Sequence, residues 1–293
     1  MFIISIFVTS LLIDIINIPY DKGANIKGSK YAFKELENDL NFLPIYKKHI
    51  INNKNNFRDL FDEGFFKIYN SLDCNTFPLC IGGDHTVSLA SIFAVNEYCL
   101  YKKYNLGVLY FSANIDMNTI DTSHTLNLHG MVVSILCGHE LNQLSFSKFL
   151  YTSQFAYYGT RNIDDLEFQR LQKYNMMILD NKKELNNWLK KFDYVHLSLD
   201  MNCFDINDFC GVNYPVNNGP NIDNIYTMLD LIKRSNKLIS MDLVEYNPII
   251  EKNNNIIINP NGPTNITTNL SINKTSLTKA IEKCILDQIM SQM

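Results

Sequence analysis

Three things are missing from this sequence, and each absence removes a class of function. There is no excess of basic charge: 26 Lys and Arg stand against 30 Asp and Glu, with a net charge of -4 and a pI near 5.9. Nothing in that balance draws a nucleic acid or another polyanion. There is no paired-cysteine signature either, because the seven cysteines are an odd number scattered without a CxxC. That argues for a reducing compartment, with the thiols as ordinary core residues. Finally, the apolar N-terminus is interrupted at Asp14, short of the roughly 18 uncharged residues that a membrane span needs. No basic residue precedes this run and no A-x-A-like cleavage site follows it, so a signal peptide is disfavoured. Its β-branched richness reads as a buried parallel strand. The expectation is a cytoplasmic protein with a small-molecule partner, no nucleic acid and no membrane.

What is present is enough apolar material for a sizeable core. Hydrophobic residues make up 46% and aromatics 12% of 293 residues, a length that suits one α/β domain over 1–293. Low complexity is confined to short Asn-rich patches.

The pattern alternates strands and helices. Helical stretches are expected at 31–39, 57–71 and 86–97, with a short buried strand at 77–81 ending in Gly82-Gly83-Asp84-His85. A strand entering 105–131 is followed by a helix after Gly130, a strand from Gln154, and a helix around Trp188. The strand ending at Asp200, a helix at 221–234, and a strand ending at Glu245 complete the set, before an Asn-rich loop to about 273 and a final helix. At least six strands separated by helices predict a mostly parallel sheet covered on both faces, a three-layer α/β/α fold. In such sheets the site lies outside the carboxyl ends of the strands. His85, the 112–129 loop, Asp164, Asp200, Asn202 and Glu245 all fall there.

Chemistry concentrates in 105–131. Alternate residues leaving a strand point to one side, so Ser112, Asn114 and Asp116 are expected to converge as at a metal-binding strand end. Only Asp116 is a strong ligand, since a hydroxyl and an amide bring no charge to a hard cation.

GGDHT at 82–86, SANID at 112–116, NLHGM at 127–131, SLDMNCFD at 198–205 and DLVEYNP at 242–248 together resemble the ureohydrolase family, which includes arginase and agmatinase. That family shows GGDHS, DAHxD, NLHGM, SFDVDGLDP and DxxEVNP in the same order. The resemblance spans nearly the whole chain and implies an arginase-like α/β/α domain with two Mn ions at the strand ends. Those ions share a hydroxide that attacks a guanidinium carbon and releases urea, as in the hydrolysis of L-arginine to L-ornithine.

Carried over by position, the resemblance makes His85, Asp116 and Asp200 metal ligands. Ser112 stands where an aspartate is expected, Asn114 where a histidine is, and Asn202 where an aspartate is. Two divalent ions about 4 Å apart repel by roughly 16 kcal/mol at an effective dielectric of 20, four times the unit-charge figure. Two carboxylates offset that poorly. The expectation is an empty second metal position and, at the first, no metal or a single weakly bound divalent ion. The alternative at the first position is a metal-free polar cluster in which His85 bonds Asp116 or Asp200.

The same resemblance implies that Asn118, Thr125 and Asn127 hold an amino acid's α-carboxylate. Asp164 would lie near its α-amino group, His129 would shuttle protons, and Glu245 would contact the guanidinium. Agmatine has no carboxylate to hold, so this set favours arginase over agmatinase. The structural alternative is that Asn118, Thr125 and Asn127 satisfy loop backbone. Three functions remain in view: an arginase-fold protein that binds an arginine-like amino acid with little or no turnover, a working Mn-dependent ureohydrolase, and a regulatory subunit of an active homologue. The family's habit implies a homo-oligomer, a trimer. Sequons at Asn265, Asn269 and Asn273 follow from Asn-rich composition, and His196 is expected in the core.

Overall fold

The computed structural model describes residues 12–52, 56–140, 148–257 and 281. Its frame is one sheet of eight strands: β1 (Ile13–Ile18), β2 (Ile45–Ile50), β3 (Phe77–Gly82), β4 (Leu106–Phe111), β5 (Phe155–Tyr158), β6 (Met177–Ile178), β7 (Tyr194–Asp200) and β8 (Leu238–Val244). The order is β2-β1-β3-β8-β7-β4-β5-β6, and every strand pair is parallel. β1, β3 and β4 are near-continuous apolar runs with every residue buried, the signature of strands covered on both faces.

Successive side chains on a strand feed two separate cores. Ile13 and Ile15, Leu109 and Phe111 pack on one face against α1 (Ala32–Leu36), α6 (Lys182–Leu189) and α7 (Ile222–Arg234). Ile16 and Ile18, Val108 and Tyr110 pack on the other against α2 (Phe57–Asp73), α3 (Ser88–Lys102) and α4 (Val132–Leu136). The three-layer α/β/α architecture follows from that period of two. Asn side chains set the start of several helices: Asn56, Asn181 and Asn221 each accept first-turn backbone N–H groups.

Several sequence expectations shift. The helix at 31–39 is a 3-10 turn (Ser29–Tyr31) running into the five-residue α1. The edge strand β2 was not expected, because IYKKHI carries two lysines and is largely exposed. Proline at 248 opens α8 (Pro248–Ile257), where an Asn-rich loop was expected; proline is favoured in a helix's first turn. Asp14, which breaks the apolar run, lies buried within β1 and accepts a hydrogen bond from Thr76. The N-terminal eleven residues and the final helix lie outside the described residues.

Gly82 and Gly83 are needed for close approach. A Cβ on Gly83 would lie 1.7 Å from the Tyr20 carbonyl oxygen, and one on Gly82 would lie 2.1 Å from Val87 Cγ2. The consequence for the site lies in the strand order. β3, β8, β7 and β4 are adjacent, so residues following four distant sequence segments meet at one rim.

Candidate functional site

A buried polar cluster occupies that rim. His85, at the start of the turn after β3, is 1% exposed. Its Nδ1 lies 3.2 Å from both Asp116 Oδ2 and Asp200 Oδ2. Its Nε2 lies 2.9 Å from Ser198 Oγ. Ser112 Oγ donates to Asp200 Oδ2 at 3.0 Å or to Asn202 Oδ1 at 3.2 Å. The Asn202 backbone N–H donates to Asp200 Oδ1, and the Ala113 N–H donates to Asn202 Oδ1. Five of the six sequence-derived metal positions are therefore in one hydrogen-bonded group.

Asn114 is the exception. β4 ends at Phe111, so the alternation expected for Ser112, Asn114 and Asp116 stops before it can bring them together. Asn114 Oδ1 instead accepts from Asn162 Nδ2 at 2.7 Å. Asp116 reaches the cluster through a left-handed backbone, φ 50, a conformation that costs energy for a residue with a Cβ.

A second group joins the first. Glu245, also left-handed at φ 65, is 3% exposed. Its Oε1 accepts from the His85 backbone N–H and lies 2.9 Å from His129 Nδ1. Asn213 Nδ2 approaches Oε2 at 3.4 Å, and the Tyr214 ring sits 5.2 Å from the His129 ring. A groove of about 700 Å³ opens beside them, lined by Arg161, Asn162, Asn213 and Tyr214 among others.

The expected carboxylate-holding set is engaged with its own loop. Asn118 Nδ2 donates to Asp164 Oδ2, while Asn118 Oδ1 accepts from Thr122 Oγ1, both at 2.9 Å. Thr125 Oγ1 accepts from the Asn127 N–H. Asp164 caps α5 (Asp165–Lys173), accepting from the Leu166 and Glu167 N–H groups through Oδ1. These contacts are those of the loop-satisfying alternative.

Burial and neighbouring charge shape the electrostatics. Burial opposes charge on His85, but its hydrogen bonds to Asp116 and Asp200 prevail and raise its pKa well above the usual histidine range. His129 behaves likewise: burial lowers it, and the bond and charge of Glu245 lift it to about 9. Burial pushes Asp200 up to about 6 against the pull of His85. Glu167, 5% exposed and accepting the Met117 N–H, is pushed up to about 8 by burial and by Asp116.

Sequence reading missed the residues beneath and around the cluster. Tyr110 donates to Asp116 Oδ2 at 2.6 Å and stacks on His85; it precedes Ser112 by two, so strand period offered a signal. Ser198 passes its hydrogen to Asp242 Oδ1 at 2.7 Å, and Asp242 Oδ2 lies 3.0 Å from His196 Nε2. His196 is thus the core residue expected, held in a buried polar pair. Arg161 donates to main-chain carbonyls of Gly159, Asn202, Cys203, Phe204, Val216 and Asn217, tying three loops together. No short-range pattern announces that role.

Among the described residues, no group of three or more His, Cys, Asp or Glu side chains has an arrangement that could hold a metal ion. No helix among them is long and apolar enough to cross a membrane.

An all-parallel α/β/α sandwich with a polar cluster across adjacent strand ends is the fold and site position that the likeness to the ureohydrolases implied. The chain belongs to the arginase family, whose model, described as "Arginase family", matches residues 14–268. An arginase of Staphylococcus aureus (strain MRSA252) is 30% identical over 250 residues, covering 80% of this chain and 78% of that one. The fold is shared with Entamoeba histolytica arginase, solved in complex with L-ornithine, at a TM-score of 0.81 and 23% identity over 94% of this chain and 99% of that one. It is shared too with Bacillus subtilis arginase, at a TM-score of 0.75 and 23% identity over 94% and 98%.

Proposed function

We propose that this arginase-family protein binds arginine or a related amino acid at its strand ends without hydrolysing it, because the two-ion centre of the family is lost. The observation that carries the reading is Ser112, whose hydroxyl donates to Asp200 or to Asn202 at a position where the family resemblance calls for a bridging carboxylate. Asp116 and Asp200 bring two negative charges where a pair of divalent ions brings four positive ones. Neutral oxygens at Ser112 and Asn202 add none, and Asn114 is turned toward Asn162. The residues present do not fit two ions.

Glu245 and His129 form an ion pair behind Asn213 and Tyr214, which line the groove; the pair is suited to a ligand's cationic side chain through Glu245 and to proton exchange through His129. Asn118, Asn127 and Asp164 supply amide and carboxylate groups for an amino acid's backbone end, once a ligand competes with their loop contacts.

A second reading, one divalent ion bound weakly by His85, Asp116 and Asp200, requires both carboxylates to turn away from His85 Nδ1, which each approaches at 3.2 Å, since as they stand these groups hold no metal arrangement. Calorimetric titration of the chelator-treated protein with arginine, ornithine and agmatine tests the main reading. Arginine is expected to bind more tightly than agmatine, and urea is expected to stay at the level of an Asp116→Ala control with excess Mn2+. Urea release above that control, or no binding of any amino acid, overturns it.

A further inference from the structure

Tyr110 is a fully buried tyrosine whose ring lies against the His85 ring, centroids 4.5 Å apart and planes within 6°. Its hydroxyl lies 2.6 Å from Asp116 Oδ2 and 3.2 Å from His85 Nδ1. Hydrogen accounting fixes what it does. The Ser198 hydroxyl directs its hydrogen at Asp242, so it receives one from His85 Nε2. Asp200 is served by neutral donors, Ser112 Oγ and the Asn202 N–H. Asp116 has one neutral side-chain donor in the cluster, the Tyr110 hydroxyl. Two carboxylates converging on one imidazole nitrogen repel each other unless each is hydrogen-bonded or neutralised. Ser112 and Tyr110 meet that need for Asp200 and Asp116 respectively.

We propose that Tyr110 is the residue that makes the cluster self-sufficient without a divalent cation: its phenol holds Asp116 closed on His85, and a metal ion that takes Asp116 Oδ2 must displace that bond. The proposal rests on the reading that the family's ion pair is lost, and it adds the group that took over. An Asp116 oxygen has two in-plane lone pairs. The Tyr110 hydrogen takes one and the His85 nitrogen faces the other, so an arriving cation meets no uncommitted acceptor at Oδ2. The left-handed backbone of Asp116, φ 50, is held separately, by the Val133 and Ser134 N–H groups that donate to its carbonyl.

The test uses the full chain and Mn2+ alone as the probe. Chelator-treated wild-type and Tyr110→Phe proteins are titrated with Mn2+ in a calorimeter, and Tm is read with and without saturating Mn2+. The wild-type Tm is expected to be unmoved by Mn2+ or by chelator. Tyr110→Phe is expected to take up one Mn2+ at least about tenfold more tightly than wild type and to gain several degrees of Tm on adding it. Adding Asp116→Asn is expected to abolish the gain. Tyr157→Phe serves as control, because its equally buried hydroxyl has no hydrogen-bond partner among the described residues; it is expected to gain nothing. A Tyr110→Phe affinity equal to wild type overturns the proposal, as does an equal gain in Tyr157→Phe. If Tyr110→Phe does not fold, the wild-type arm decides alone, and a Mn2+-dependent rise in its Tm overturns the proposal. Two Mn2+ per wild-type chain with urea release would instead overturn the functional reading beneath it.

Discussion

Ser112 Oγ lies 3.0 Å from Asp200 Oδ2, and its hydroxyl is one of two neutral donors to that carboxylate, the Asn202 N–H being the other. Ser112→Asp replaces that donor with a second buried carboxylate. The variant is expected to lose about 2–4 kcal/mol of stability in chelator at pH 7, against about 1–2 for Ser112→Ala, which takes one donor from Asp200 and the acceptor from the Asn114 N–H without adding a charge. Urea unfolding of both variants at pH 7 checks the order. Equal losses would mean that the contact is incidental.

Glu167 sits at 5% exposure under the 116–119 loop with its pKa pushed up to about 8. A carboxyl raised in the folded state contributes stability below its unfolded value near 4.5 and loses it as pH climbs through about 8. Glu167→Gln keeps the acceptor for the Met117 N–H and removes the titration. The variant is expected to match wild type near pH 4.5 and to exceed it by on the order of 3 kcal/mol at pH 8. Denaturant midpoints across that range give the comparison; a variant less stable than wild type at pH 8 would contradict it.

His129 is lifted to about 9 by Glu245 against burial. A raised histidine stabilises fully below its unfolded value near 6.5, and that contribution fades as pH rises through about 9. His129→Gln is therefore expected to cost on the order of 3 kcal/mol at pH 6 and far less at pH 10. Parallel stability curves for the two proteins over that range would remove the ion pair from the account.

Much of the fold was legible because buried parallel strands leave apolar runs and turn residues in the sequence. FPLCIG and LGVLYF announce themselves, while IYKKHI does not, since an edge strand with exposed lysines lacks the period of a half-buried one. At the site, sequence placed His85, Asp116, Asp200 and Glu245 at strand ends, and the order β3-β8-β7-β4 makes those ends adjacent. It failed at Asn114, because the two-residue alternation holds only while the chain stays extended and β4 ends at Phe111. For Asn118 it left two readings open, a ligand's carboxylate or its own loop, since neutral polar groups serve either equally well; here the amide meets Asp164 and Thr122. Tyr110 stands two residues before Ser112 and six before Asp116, so strand period carried its signal, whereas Arg161 left none, because only the folded chain brings its guanidinium to the carbonyls of Asn202 and Val216.

The central claim is that this member of the arginase family no longer carries a pair of metal ions. Its most direct test is the manganese content of the full-length wild-type protein after incubation with excess Mn2+ and removal of unbound ion, measured by elemental analysis against protein concentration. The account predicts fewer than one Mn per chain; two Mn per chain would contradict it.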